Sequence, residues 1–513
     1  MKKLLFLILL LGMLVACRKD DIIEKLSSES FSDKTFLDFL LSNYDSDQDG
    51  AISIEEAKVV KEIDLSGIGR MLQSLKGIEH FTSLEKLVIR NQAQIEVPDL
   101  SKNTALTELI WELSGSETKM VDLSKNTKLT SLYYDSSTGG NLDISNNTTL
   151  EYLQLKGGMT VSSFENNTLL KNVFIVGWPQ SKNMDFSKNT HLEDLYILSS
   201  PPSYNTETVL NISNCKNLIN LYVSGYEIYN IDLQQADKLK EVFIEWCDSL
   251  KSININGATN LENLRLRGMK EIDINISNCS SLKNMFLEVE GIKNLNASGC
   301  TALNAFSWNT DYNSKLILNR LDLSDCTSLT HILCTNSKLE ELNLKGCTSL
   351  NELNCGNNLL KKLDVSTCTA LKKLNCGENQ LIELDVNGCK VLSEMSFNNN
   401  KLKKIDLSAC TALEGLYCHD NILDELDLYG LVSLKNLVCQ DNELKELDIT
   451  NNTALETIFC LRNNLSVLDL HTCHVLDMVN CISNDNLELL ILYKNHQITS
   501  LIYDDFTQVE YKE

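Results

Sequence analysis

Residues 350–486 repeat one pattern every 21 residues, and this period constrains the fold more than any other feature of the chain. Each unit opens with a leucine, and these are Leu350, Leu371, Leu392, Leu413, Leu434, Leu455 and Leu476. A second apolar residue follows three positions later, a cysteine or Phe397 two positions after it, and an asparagine three further on. Because one such coil cannot bury its own apolar edge, a fixed period of this length predicts a stack of coils.

The repeated motif LxxLxCxxNxLxxLDxSxC resembles a leucine-rich repeat of the short, nested type found in internalin-like bacterial surface proteins. Alternation in LxC and in LDV predicts two short strands in each coil. The inward asparagines are expected to bond backbone groups of neighbouring coils. Between Leu84 and Leu329 the same units recur less regularly, with steps of 20 to 26 residues and longer loops near residues 200 and 311. We predict a β-rich leucine-rich repeat solenoid, right-handed and curved, with few helices.

Residues 1–17 have the pattern of a secretion signal. Lys2 and Lys3 precede an apolar run that is too short to span a bilayer. The run ends in Leu-Val-Ala-Cys, which resembles a lipobox and implies removal of residues 1–16 and acylation of Cys17; an ordinary signal peptide is the alternative. Residues 18–21 resemble a surface-export signal of some Gram-negative lineages, within a flexible tether over residues 17–30. These features predict an outer-membrane lipoprotein exposed at the cell surface.

Residues 31–62 differ from the repeat and predict a small, EF-hand-like helical cap. An apolar run at residues 36–41 predicts a helix, and residues 45–56 then match the calcium-loop pattern D-x-D-x-D-G-x5-E. The expected ligands of a single calcium ion are side chains of Asp45, Asp47, Asp49, Ser53 and Glu56 and the carbonyl oxygen of Ala51. A helix capping box formed by Ser53 and Glu56 is the alternative. The solenoid is expected over residues 63–486 and a C-terminal cap and tail over residues 487–513.

Cysteine and aspartate each recur at fixed places in the coil. Of the 18 cysteines, all except Cys17 fall at inward positions, where free cysteine behaves as a small buried hydrophobe. Column neighbours about 5 Å apart are also within reach of a disulfide, but we expect reduced thiols. The aspartates occupy the outward position of the second strand, where we expect them to bond nearby backbone amides; a row of cation sites is the alternative.

The remaining features bear on function. The net charge of −24 argues against nucleic acid and anionic membrane surfaces as partners, so membrane contact is expected through the lipid anchor alone. We find no GxSxG, P-loop or HExxH motif and predict a protein that is not an enzyme.

Aromatic residues crowd the outward position of the first strands and predict a ligand-binding row on a concave face. The candidate ligand-binding residues are Tyr133, Phe174, Tyr196, Tyr222, Phe243, Trp246 and Phe286. The alternative is that these rings only stabilise the sheet by cross-strand packing. The predicted function is recognition or adhesion through a protein or glycan partner; the rival is a structural spacer or assembly scaffold in a cell-envelope complex.

Overall fold

A computed structural model describes residues 24–513 except residues 70–71, 93–94, 114–119, 162, 178–182, 199–208, 227, 235 and 309–316. The predicted signal peptide and Cys17 lie outside the described residues, as do most residues of the two predicted loops. The chain forms two compact units, Met1–Cys215 and Lys216–Glu513. Within the described residues, none of the helices has the length and apolar character needed to traverse a bilayer.

Two helices precede the coils: α1 spans Lys34–Tyr44 and α2 spans Ile54–Val59. Short 3-10 turns lie at Ser28–Ser30 and Ile78–His80. One carboxylate oxygen of Asp33 caps α1 by accepting the N–H of Thr35 at 2.8 Å, and the other accepts the N–H of Gln73 at 2.6 Å. The same side chain therefore starts the helix and attaches it to the first coil.

Aromatic packing completes this attachment. Phe36 and Leu40 of α1 are fully buried. The ring of Phe31 lies against Gly77, where φ is +105° and an added Cβ would fall 2.3 Å from the ring. A side chain at that position would push Phe31 away from the coil. The helical segment thus packs on the first coil. Its role as the cap of the solenoid stays a prediction.

In the first unit, a series of parallel first strands carries the repeated leucines. The first strands are Glu62–Asp64, Lys86–Gln92, Glu108–Leu113, Ser131–Leu142, Tyr152–Val161, Asn172–Gly177 and Asp194–Leu198. Two second strands, Asn183–Asp185 and Val209–Asn211, pair with each other. The register advances one coil at a time, with Leu87 opposite Leu109 and Leu109 opposite Leu132.

The second unit also contains first and second strands, most of them short. The first strands are Asn220–Ser224, Glu241–Glu245, Asn263–Arg267, Asn284–Glu288, Ala305–Ser307, His331–Leu333, Glu352–Asn354, Lys373–Asn375, Glu394–Ser396, Gly415–Tyr417, Asn436–Val438, Thr457–Phe459, Met478–Asn480 and Ser500–Ile502. The second strands are Asn230–Asp232, Ser252–Asn254, Glu271–Asn275, Gly291–Asn296, Ile317–Asp322, Glu341–Asn343, Lys362–Asp364, Glu383–Asp385, Val467–Asp469, Leu489–Tyr493 and Gln508–Lys512.

The core of each unit is the column of inward residues. Leu350, Leu371 and Leu392 are fully buried, and the seventeen described cysteines are all buried and free. The prediction of a β-rich leucine-rich repeat solenoid with few helices is confirmed. The coils also continue beyond residue 486, because Leu490 and Leu492 point inward and the strand Gln508–Lys512 pairs with Leu489–Tyr493. That residues 487–513 close the stack as a C-terminal cap and tail stays a prediction.

A second inward column holds asparagine in most of the early coils and cysteine in most of the later ones. Asn103 donates from its amide nitrogen to the carbonyls of Ile78 and Phe81, at 2.8 and 2.9 Å, but its buried oxygen has no partner. In later coils a cysteine takes this place, and the thiol of Cys347 lies 3.1 Å from the carbonyl of Leu323. A thiol can donate at this position without leaving a buried oxygen unpaired, and the apolar residues Ala236, Ala258 and Leu431 fill the same position in other coils.

Candidate ligand-binding face and calcium loop

The predicted calcium loop folds around its own carboxylates. Asp45 accepts the N–H of Asp49 at 3.2 Å and that of Gly50 at 2.9 Å, and Asp49 accepts the N–H of Ala51 at 3.0 Å. Gly50 has φ of +80°, as the sharp turn requires. Carboxylate oxygens of Asp45, Asp47 and Asp49 all lie within 4.8 Å of one another. Three oxygens at this spacing fit a cation that takes ligands at 2.3–2.6 Å.

The last predicted ligand, Glu56, faces other partners. One of its carboxylate oxygens accepts the N–H and hydroxyl of Ser46 at 2.7 Å each, and the other accepts the N–H and hydroxyl of Ser53 at 2.9 Å each. Partial burial would raise the pKa of Glu56, but these hydrogen bonds prevail and lower it to about 2. Ser53 and Glu56 form a complete capping box at the start of α2. The capping box is present alongside the three aspartates, and calcium ligation by Glu56 would require its carboxylate to turn.

Residues 24–26 pair with the calcium loop, which the sequence did not indicate. The N–H of Leu26 donates to the carbonyl of Ile52 at 2.9 Å, and the N–H of Ile54 donates to the carbonyl of Glu24 at 3.0 Å. The ammonium group of Lys25 contacts the carboxylate of Asp49, and this hydrogen bond raises the pKa of Lys25. The end of the predicted tether therefore adds a short antiparallel bridge to the loop.

In the first unit, the candidate ligand-binding residues lie in a row of half-buried rings. Phe174 stacks on Tyr196 with ring centroids 4.7 Å apart, and Tyr152 lies 5.6 Å from Phe174 on its other side. The ring of Tyr133 lies under two cations, with the guanidinium carbon of Arg90 at 5.5 Å and the ammonium of Lys156 at 5.2 Å. The rings thus contact neighbouring strands and remain partly exposed.

In the second unit, the row contains Tyr222, Phe243 and Phe286. Tyr222 meets Phe243 edge to face with centroids 4.6 Å apart. The Tyr222 hydroxyl donates to Glu241. Arg265 separates Phe243 from Phe286 and lies 3.2 Å from Glu245. Phe286 is 56% exposed, so it is the most accessible ring of the row.

Trp246 lies beyond the end of its strand and is fixed differently. The φ angle of Trp246 is +56°, and its backbone N–H donates to the carbonyl of Arg267 at 2.8 Å. The Arg267 guanidinium lies 5.2 Å from the centre of the indole ring. An added Cβ on Gly268 would fall 2.2 Å from the ring, so this glycine leaves room for the indole. Trp246 is nevertheless 49% exposed. It is a rigid, accessible aromatic surface at the edge of the row.

The aspartate column bonds backbone amides two residues ahead, as predicted. Asp122 accepts the N–H of Ser124 at 2.9 Å, and Asp406 accepts that of Ser408 at 2.9 Å. Hydrogen bonds from the serine side chain and backbone lower the pKa of Asp406. Where asparagine replaces aspartate, neighbours bond to each other, and Asn275 donates to Asn254 at 3.1 Å. The column therefore holds the turn of each coil.

The parallel strands and the buried inward columns give the chain a leucine-rich repeat solenoid fold. No protein-family model matches the chain, and no curated protein matches its sequence. Among solved structures, the chain is similar to the functional domain of InlJ from Listeria monocytogenes, which includes a cysteine ladder, with 22% identity over 87% of this chain and 77% of that one and a TM-score of 0.34. It is also similar to a Leptospira interrogans LRR protein, with 16% identity over 89% and 97% and a TM-score of 0.29. YopM from Yersinia enterocolitica is 16% identical over 88% and 91%, with a TM-score of 0.33. Similarity at this level carries no argument about what the chain binds.

Proposed function

We propose that this chain is a non-enzymatic, surface-anchored recognition protein that binds a protein or glycan partner through the outward side chains of its first strands. The observation that supports this most is the row of accessible rings on strands whose backbones are fixed by parallel pairing. Aromatic side chains on a rigid support lose little conformational entropy on binding and are enriched at energetically dominant contacts.

Two further parts of the proposal concern the N-terminus. Cys17 would carry the lipid that holds the protein to the outer membrane of a Gram-negative bacterium, with the solenoid exposed at the cell surface. One calcium ion would be held by Asp45, Asp47 and Asp49, with the Ala51 carbonyl, Ser53 and Glu56 completing the shell. The ion would neutralise the clustered carboxylates and stiffen the segment that packs on the first coil.

The alternative is a structural spacer or scaffold in the cell envelope, and the same rings give it support. The Phe174–Tyr196 and Tyr222–Phe243 pairs each join adjacent strands, and such pairs contribute about 0.5–1.5 kcal/mol to stability beyond their burial. Ring packing alone accounts for their presence without any ligand. Binding and stability measurements on the same variants separate the two functions.

The test uses the lipid-free chain, residues 24–513, on an array of purified extracellular-matrix proteins and glycans. Tyr222→Ser with Phe243→Ser should abolish capture, while the unfolding free energy falls by only a few kcal/mol. Val438→Ser, at the equivalent outward position of a later first strand, is the matched control and should leave capture unchanged. Capture that survives the double substitution in a folded protein would assign the rings to sheet packing.

A further inference from the structure

The second-strand side of the second unit contains an open groove of about 700 Å³ between residues 362 and 429. It is formed by four successive stretches of chain: residues 362–364, 382–385 and 404–408, and then Glu425, Asp427 and Tyr429. None of the proposed ligand-binding residues lines this groove. It is therefore a separate surface from the aromatic row.

The groove overlaps the start of an interruption in the second-strand ladder. Leu363 pairs with Leu384, and the N–H of Val365 donates to the carbonyl of Asp385 at 2.9 Å. Among the described residues, the N–H groups of 404–407, 425–428 and 446–449 make no backbone hydrogen bond to a neighbouring coil. The ladder resumes where the N–H of Leu470 donates to the carbonyl of Ile491 at 2.7 Å.

The first strands of the same coils, between residues 394 and 438, stay paired without interruption. Met395 pairs with Leu416, and Leu416 pairs with Leu437. The coils are therefore held together on the first-strand side while their second segments stay unpaired. Backbone N–H groups along the groove are available to water or to a bound chain, since each must find an acceptor.

The side chains of the groove are mainly acidic. The carboxylates are those of Asp364, Glu383, Asp385, Asp406, Glu425 and Asp427, and the cations are Lys362 and Lys404. Lys362 lies 2.8 Å from Glu383, so this pair is already satisfied. The carboxylates of the aspartate column each bond one backbone amide and keep further acceptor positions free. The groove thus carries a clear excess of negative charge.

Two exposed apolar side chains lie among these charges. Tyr429 is 76% exposed and Ile382 is 54% exposed. The N–H of Tyr429 donates to Asp427 at 2.9 Å, which fixes the backbone from which the ring extends. An aromatic ring beside carboxylates suits a guanidinium or ammonium group, which packs its aliphatic stem on apolar atoms and its charge against the acids.

We propose that this groove binds an extended, arginine- or lysine-containing segment of a partner protein. The charge of the groove complements such a segment, Tyr429 and Ile382 pack on its side-chain stems, and the open N–H groups of 404–407 and 425–428 bond its carbonyl oxygens. This site is independent of the aromatic row, so a negative result for one of the two binding sites leaves the other proposal unaffected. A neutral or acidic segment lacks the complementary charge and would not bind.

The test measures fluorescence anisotropy of a labelled peptide of alternating arginine and valine added to residues 24–513, with an alternating glutamate and valine peptide for comparison. Asp406→Asn with Asp427→Asn should weaken binding roughly tenfold, since two favourable charge contacts are lost. Asparagine preserves the turn, because Asn275 in the same column accepts the N–H of Ser277 at 3.2 Å.

The matched control makes the same change in charge elsewhere, by Asp99→Asn with Asp143→Asn, and should leave affinity within about twofold. Tyr429→Ser should also weaken binding, whereas Val475→Ser, at a residue 57% exposed outside the groove, should not. Equal weakening by both charge variants would show attraction to the overall negative charge only and would overturn the proposal. Binding of the glutamate peptide with similar affinity, or no effect of Tyr429→Ser in a folded variant, would overturn it as well.

Discussion

The side-chain amide of Asn379 donates to the carbonyl of Cys355 in the preceding coil, at 3.0 Å. Its oxygen accepts the N–H of Leu360, also at 3.0 Å, so one side chain satisfies backbone groups at the bend after the first strand. The same bonds to the preceding coil recur at Asn358, Asn400, Asn421, Asn442, Asn463 and Asn484. Successive coils are therefore joined by side chains where no strand ladder exists.

The other inward column allows a direct comparison of adjacent asparagines. Asn452 is fully buried and donates to the carbonyls of Leu428 and Leu431, whereas Asn451 is exposed. Asn452→Ala should lower the free energy of unfolding by about 1–3 kcal/mol, because two buried side-chain hydrogen bonds are lost while both carbonyls keep their backbone partners. Asn451→Ala should change it by less than about 0.5 kcal/mol.

A third variant tests why cysteine replaces asparagine in this column. Asn452→Cys should stay within about 1 kcal/mol of the parent, because a thiol donor replaces an amide whose buried oxygen has no partner. Urea unfolding followed by circular dichroism measures all three variants. A cysteine variant as unstable as Asn452→Ala would contradict the account of this column.

The cysteine thiols should be reduced and unreactive in the folded protein. Burial raises the pKa of the Cys376 thiol to about 12 and that of Cys355 well above its ordinary value, so almost no thiolate forms at pH 8. A chromogenic disulfide reagent should not react with native protein. After unfolding without reductant it should count seventeen thiols in residues 24–513. A count near zero would mean that the columns are paired as disulfides.

Each chain should bind one calcium ion. Calorimetry on residues 24–513 should give one site with a Kd of roughly 0.1–1 mM, the range of extracellular modules. Asp45→Ala with Glu56→Ala should abolish the heat, and Asp99→Asn with Asp143→Asn, in the aspartate column, should not. Several equivalent sites, reduced in number by the column variant, would show instead that the column binds cations.

Acid should weaken the N-terminal segment. Because hydrogen bonds from Ser46 and Ser53 lower the folded-state pKa of Glu56 to about 2, from 4.5 in an unperturbed glutamate, its contribution to stability is present above pH 4.5 and is lost as the pH falls through about 2.

The repeat predicted the stack, the inward columns and the outward rings, because period 21 places equivalent residues at equivalent angles in every coil. It did not predict the interrupted ladder, since LKKLDVS at 360–366 and LKKIDLS at 402–408 are nearly identical and yet only the first forms a strand. The pairing of Leu26 with Ile52 was also missed, because it joins segments distant in sequence that share no motif.

The central claim is that the first-strand face binds the partner, and photo-crosslinking tests it most directly. A photoreactive phenylalanine analogue is placed at Phe243 in one protein and at Val475, exposed outside the aromatic row, in another. Both are incubated with an array component that the parent captures, and then irradiated. The account predicts a crosslink from position 243 and none from position 475. A crosslink from position 475 with none from position 243 would contradict it.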